Sequence, residues 1–291
     1  MPQNPHNISR VIIADYLRLL RQPFTAPEVS ASPVSTVLPV RDTSRPCALL
    51  LSPHPDDECL TGVLPLRLLR EQNWQIINIA VTLGSDLARR AERKEELAKA
   101  SAALGFVSAL PKEDGFSDID ATARSADPVL WRKKVARIAE MIAQVQPQAI
   151  FMPHAEDGHA THIGTHWLGM DALATIPQNL SYFVVQTEYW HPMSESNLMV
   201  GSEENDVATL MSALACHVGE VARNAYDRRF PAYLIDNIRR GSERLGGAGT
   251  TAKAMDFAEL YKLGLWRQGK FVPSALNRFV EVNESVGTLF E

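Results

Sequence analysis

Two short stretches hold most of the residues able to do chemistry: Ser52-Pro-His-Pro-Asp-Asp-Glu58, and the segment from Pro153 to His166. Of the eight histidines, His154, His159, His162 and His166 fall in the second stretch and His54 in the first. Imidazole is the commonest metal ligand, and carboxylates accompany it in both stretches. Nitrogen and oxygen donors without a nearby pair of thiolates suit Zn2+ or another divalent first-row ion. Three protein ligands with one position left open for substrate make a catalytic site rather than a structural one. Spacing alone does not decide this. Proline at a first helical position followed by acids is an ordinary helix start; that accounts for Pro55, Asp56, Asp57 and Glu58 but leaves His54 unexplained. His162 and His166, four residues apart, share a helix face, which is weak evidence alone and strong beside the first stretch.

Both stretches follow short apolar runs, 47–52 and 148–153, of the kind that form buried strands. Further strands are expected at 74–82 and 180–190. Helical spacing covers 60–71, 88–104 (stopped by Gly105), 129–145 and 161–175. This alternation predicts an α/β, Rossmann-like fold with a mainly parallel sheet, helices on both faces and right-handed crossovers. Ligands in such sheets bind beyond the carboxyl ends of the strands, where both stretches would lie. Beyond 203 the pattern reads as mostly helical, with a glycine-rich break at 246–249 that lacks the Lys-Ser/Thr of a phosphate loop. Residues 1–46 read as an appended arm: a helix from Val11 to Leu20 capped by Asn7 or Ser9, then an extended proline-rich loop. Residues 47–291 read as the main domain.

With 291 residues, 45% of them apolar, the chain can build a sizeable core, so global disorder is excluded. A net charge of −5 argues against a general nucleic-acid binder. Cys47, Cys59 and Cys216 are too few and scattered for a disulfide framework and fit a reducing compartment. No run reaches the roughly 18 apolar residues of a membrane span, and the first residues lack a signal-peptide pattern. A cytoplasmic protein is expected, with a homo-oligomer left open.

The first motif, and Gly158-His-x-x-His-x-x-x-His166 about a hundred residues later, resemble the LmbE-like/PIG-L family of zinc-dependent de-N-acetylases. Other landmarks agree: Val81-Thr-Leu-Gly-Ser85, Arg93-Lys-Glu-Glu96 with Ala103-Leu-Gly105, Asp114-Gly115, and Ala213 to His217. The resemblance implies that His54, Asp57 and His162 bind the metal, that Asp56 is the general base and that His159 is the stabiliser or acid opposite. It also implies that Arg93 and Asp114 contact sugar hydroxyls and that His217 lines the pocket, while Glu58 caps its helix or supports a ligand from behind. The family's His-Pro-Asp-His reads His159-Ala-Thr-His162 here, so Thr161 stands where a carboxylate tunes the first histidine; Glu156 or Asp157 could substitute. Gly219-Glu220 replaces the usual Ser-Gln. The implied function is a metal-dependent hydrolase that removes an acetyl group from the amide nitrogen of a small amino-sugar derivative. The alternatives are an amidase on another amide, such as a thiol-sugar S-conjugate, or a non-catalytic sugar-binding protein of the same fold.

Overall fold

A computed structural model describes residues 5–22, 24–275 and 277–291. Helix α1 (Pro5–Arg21) leads through an extended segment to β1 (Cys47–Ser52), α2 (Asp57–Leu60), α3 (Val63–Gln72), β2 (Gln75–Ala80), α4 (Arg90–Leu104) and β3 (Val107–Ala109). Next come α5 (Ala121–Ala126), α6 (Pro128–Val145), β4 (Ala149–Pro153), α7 (Ala160–Thr175), β5 (Tyr182–Thr187) and β6 (Leu198–Ser202). The chain ends with α8 (Glu204–Ala215), α9 (Val218–Arg223), α10 (Tyr226–Gly246), β7 (Phe257–Arg267), β8 (Lys270–Pro273) and β9 (Arg278–Val280).

The strands form one mainly parallel sheet in the order β3-β2-β1-β4-β5-β7-β6-β9, with β8 paired to β7. β1 is fully buried and pairs in parallel with β2 and β4, Leu50 lying between Asn78 and Phe151. Successive side chains point to opposite faces. Ala48 and Leu50 therefore enter one core with Leu64 and Leu68 of α3, while Leu49 and Leu51 enter the other with Ile138 and Ile142 of α6. Strand order runs outward from β1 in one direction through β2 and β3, and in the other through β4 and β5. The crevice between the carboxyl ends of β1 and β4 is thus the topological switch point where open α/β sheets bind ligands. Both motif segments leave the sheet there.

The structure also differs from the sequence reading. The helix expected over 60–71 is two helices, broken at Thr61 and Gly62. A Cβ at Gly62 would stand 2.6 Å from Leu210 of α8, so the chain turns where that helix approaches. α1 begins by Pro5, which places Asn7 and Ser9 inside the helix and not at its cap. The segment beyond 203 is helical only to Gly246. β7 then inserts antiparallel between β5 and β6. Glu259, Lys262 and Gly264 interrupt its apolar run and hide it from a hydrophobicity reading. β6 likewise went unexpected. The proline-rich segment does run extended: Ser35 bridges Ala109 at the β3 edge and Leu38 is buried in the second core.

Candidate active site

The first motif is a tight turn pinned to two strand ends. The carbonyl of Ser52 accepts from Val81 N–H at 2.8 Å, and that of Pro53 accepts from the Thr82 hydroxyl at 2.8 Å. Arg93 donates to the Pro55 carbonyl at 3.0 Å and to the Leu83 carbonyl at 3.3 Å, so it fastens the motif to the β2 loop. A Cβ at Gly84, where φ is +85°, would lie 2.2 Å from that guanidinium. Asp56 adopts φ 116°, a left-handed conformation costly for a residue with a side chain. Glu58 holds it there by accepting Asp56 N–H at 3.0 Å through one oxygen while His217 donates to the other at 2.7 Å.

The second motif opens with Gly158 at φ +88°, where a Cβ would meet the His191 ring at 2.6 Å. His159 then caps α7, its Nδ1 accepting from Thr161 N–H at 3.3 Å. His162 sits one turn inside α7. His166, a turn further on, donates from Nδ1 to the Pro153 carbonyl at 2.9 Å and ties helix to strand. His154 is buried and donates to the His191 carbonyl at 2.9 Å.

The two segments converge on one point. Asp57 Oδ2 lies 3.4 Å from His54 Nδ1 and 3.4 Å from His162 Nε2. Ring nitrogens of His54, His159 and His162 fall within 4.8 Å of one another, so His159 stands beside the expected ligands. Buried polar atoms normally find partners, yet His162 Nε2 is buried and has no hydrogen-bond partner. An orphan nitrogen aimed at a carboxylate and two further imidazoles fits a divalent cation held by nitrogen and oxygen. Asp157, also buried, places Oδ1 3.1 Å from the other nitrogen of His162. A carboxylate behind a ligating histidine fixes its orientation and raises its basicity.

The charges respond to this crowding. Burial pushes the Asp56 carboxyl well above the usual range, and the adjacent Asp57 carboxylate adds to the shift. Burial would also raise Asp57, but His162 and His54 outweigh it and bring the carboxyl down to about 2. Burial pulls His162 down, whereas Asp57 and Asp157 on either side hold it above its ordinary value. His159 is lowered by burial, then by His54 and His162.

These residues form the floor of a cleft of about 560 Å³, with Arg93, Asp118 and Asp120 on its walls and Trp190 and Tyr226 at its rim. Trp190 stacks on His159 with centroids 5.8 Å apart. Of the residues expected to touch substrate, only Arg93 borders this cleft. Asp114 is exposed and ion-paired with Lys94 at 3.2 Å, because Gly115 turns the chain so that the following segment, from Phe116, lines the wall. His217 is fully buried behind the floor on Glu58, out of reach of a ligand in the cleft. Asp157 was foreseen as a partner for His159; it approaches His162 instead, while Glu156 accepts from the Ser194 hydroxyl. Glu220 was not foreseen as a hub, although it pairs with Arg89 at 2.9 Å and Arg223 at 2.5 Å and lies 3.7 Å from Arg93. Its link to Arg89 spans 131 residues of chain, and no local pattern announces it.

Residues 49–173 match the family profile described as PIG-L, GlcNAc-PI de-N-acetylase. The chain is 24% identical over 205 residues to the 1D-myo-inositol 2-acetamido-2-deoxy-alpha-D-glucopyranoside deacetylase 1 of Catenulispora acidiphila, covering 59% of this chain and 64% of that relative. Its fold resembles that of the N,N'-diacetylchitobiose deacetylase of Pyrococcus horikoshii at a TM-score of 0.55 and 14% identity, covering 75% of this chain and 83% of the other. It also resembles the 4-carboxy-2-hydroxymuconate hydratase GalB of Pseudomonas putida at a TM-score of 0.54 and 18% identity, covering 75% and 95%. The same fold thus carries two reactions, and the site has to decide between them. Residues 49–173, which include both motifs, are similar to the PIG-L (LmbE-like) family model, and the match spans less than half of the chain.

Proposed function

We propose that the cleft belongs to a metal-dependent N-deacetylase that removes an acetyl group from the amide nitrogen of an amino-sugar derivative. One observation carries the reading: His54, Asp57 and His162 meet from two strand ends, with Asp56 beside them and His162 Nε2 left without a partner. The Catenulispora and Pyrococcus relatives, named as deacetylases of acetamido sugars, support the substrate class. In this reading His54, Asp57 and His162 hold Zn2+ or another divalent first-row ion. Such a cation, when bound, polarises the amide carbonyl and lowers the pKa of water towards ~7.

The protein's own groups do the rest. Asp56 takes a proton from the attacking water and passes it to the departing amine, so that water adds across the C–N bond and gives acetate and a free amine. Its raised carboxyl suits a group that must keep a proton for the leaving nitrogen. His159 donates to the oxygen on which negative charge develops. Trp190 and Tyr226, edge to face at 6.4 Å, offer apolar faces to a pyranose ring. Three buried, unpaired cysteines support a reducing compartment such as the cytoplasm.

Elemental analysis combined with acetate release from a panel of N-acetylglucosaminides tests the proposal. Purified protein is expected to hold one metal ion per chain, and Asp56→Ala to keep that ion while turnover falls about 10²–10⁴-fold. Full activity in the variant would remove Asp56 from the mechanism. Full metal loading with no acetate from any sugar would favour a binding protein and sink the enzyme reading.

A further inference from the structure

We infer that α1 and the adjoining face of α10 dock the protein onto an anionic lipid bilayer. α1 rests on the molecule through its second half, where Tyr16, Leu19 and Leu20 face Pro231, Ala232 and Ile235 of α10 across an apolar groove of about 360 Å³. In its first half Ile8, Ile12 and Ile13 are exposed by 44, 60 and 58%. At about 100° per residue, Ile8, Val11, Ile12, Ile13, Tyr16, Leu17 and Leu19 spread over about two-thirds of the circumference, a broader arc than one helix–helix seam uses. Arg10, Arg18 and Arg21 occupy the opposite arc.

Charge identifies what covers this face. α1 and α10 together hold eight arginines and four acids, in a chain whose net charge is −5. A second copy docking face to face about a two-fold axis would set each arginine-rich surface against itself. An anionic bilayer complements the surface in both respects. The apolar arc enters the boundary between headgroups and acyl chains, and the guanidinium groups reach lipid phosphates from stems lying along it. Among the described residues no helix is long and apolar enough to cross a membrane, so the contact is parallel to the surface. The inference does not depend on what the cleft hydrolyses.

Co-sedimentation of the full chain with vesicles tests it. Vesicles of equal parts phosphatidylglycerol and phosphatidylcholine are expected to pellet the protein, high salt to release it, and pure phosphatidylcholine to retain little. Ile8→Gln with Ile12→Gln, both exposed positions, is expected to weaken partitioning at least about tenfold with an unchanged melting temperature. Arg10→Gln with Arg18→Gln is expected to weaken it on the order of thirtyfold, at about 1 kcal/mol per arginine. No sedimentation with anionic vesicles, or unaltered sedimentation of the isoleucine variant, would overturn the inference. So would a dimer that dissociates in that variant while neither form binds vesicles, because a second copy would then cover the face.

Discussion

Asp57 and Glu58 are neighbours in one short helix, both buried, and they serve opposite sides of it. Asp57 faces the cleft, where two imidazoles stand 3.4 Å from one of its oxygens and His162 Nε2 is left unpartnered. Glu58 faces the core, where both oxygens are engaged, one by His217 and the other by the backbone of Asp56. Glu58, Cys59 and His217 are close enough to count as a second group of potential metal ligands. Yet this group is sealed among apolar side chains, and burial followed by the charge of Glu58 pushes the Cys59 thiol well up, away from the thiolate a metal needs. Donor type and proximity therefore do not make a functional centre. An orphan nitrogen does not separate the two either, since His217 Nδ1 and His162 Nε2 both lack a partner; access to a cleft does.

The sharpest way to break this contrast is to remove each carboxylate. Glu58→Ala is expected to cost about 3–5 kcal/mol of stability, since it strips the partner from a buried group, and urea denaturation measures this. Asp57→Ala is expected to lower metal affinity by well over ~100-fold, read by competition with a chelating dye. If Glu58→Ala stripped the metal without lowering stability, the division of labour would be wrong.

His166 sharpens the comparison along a single helix. It lies one turn beyond His162 but bonds a strand carbonyl, and burial drives its pKa down to about 4 from the ordinary 6.5. The unfolded chain therefore binds more protons between these values, and stability that is complete above pH 6.5 is lost as pH falls towards 4. The loss amounts to about 3 kcal/mol. His166→Asn, which cannot titrate, is expected to flatten that part of the pH profile in urea melts. An unchanged slope would show that the imidazole is solvated.

The smallest effect is expected at Asp157. Asp157→Asn keeps the shape but weakens the charge behind His162, and metal affinity is expected to fall about 10–100-fold with folding intact. An equal loss in a Glu156→Gln control would show that general charge, and not the contact at 3.1 Å, sets the affinity.

Local physics was legible in the chain itself. Cys47–Ser52 is a strand because an unbroken apolar run has to be buried on both faces, and α4 stops at Gly105 because φ of 75° favours a residue without Cβ. The histidine-rich stretch after β4 could be read because ligands must follow strand ends in such a sheet. Tertiary structure alone decided which partner each side chain meets. Asp157 turns to His162 and not His159, His217 goes beneath Glu58 and not into the cleft, and Glu220 gathers Arg89 and Arg93 from more than a hundred residues away. β7 joins the sheet between β5 and β6 despite its mixed composition, because only a neighbour on each side can satisfy its backbone. A sequence pattern carries the period of an element and the chemistry of its residues. The direction of a side chain at the end of a turn depends on what packs behind it, and those groups arrive from segments a hundred or more residues away.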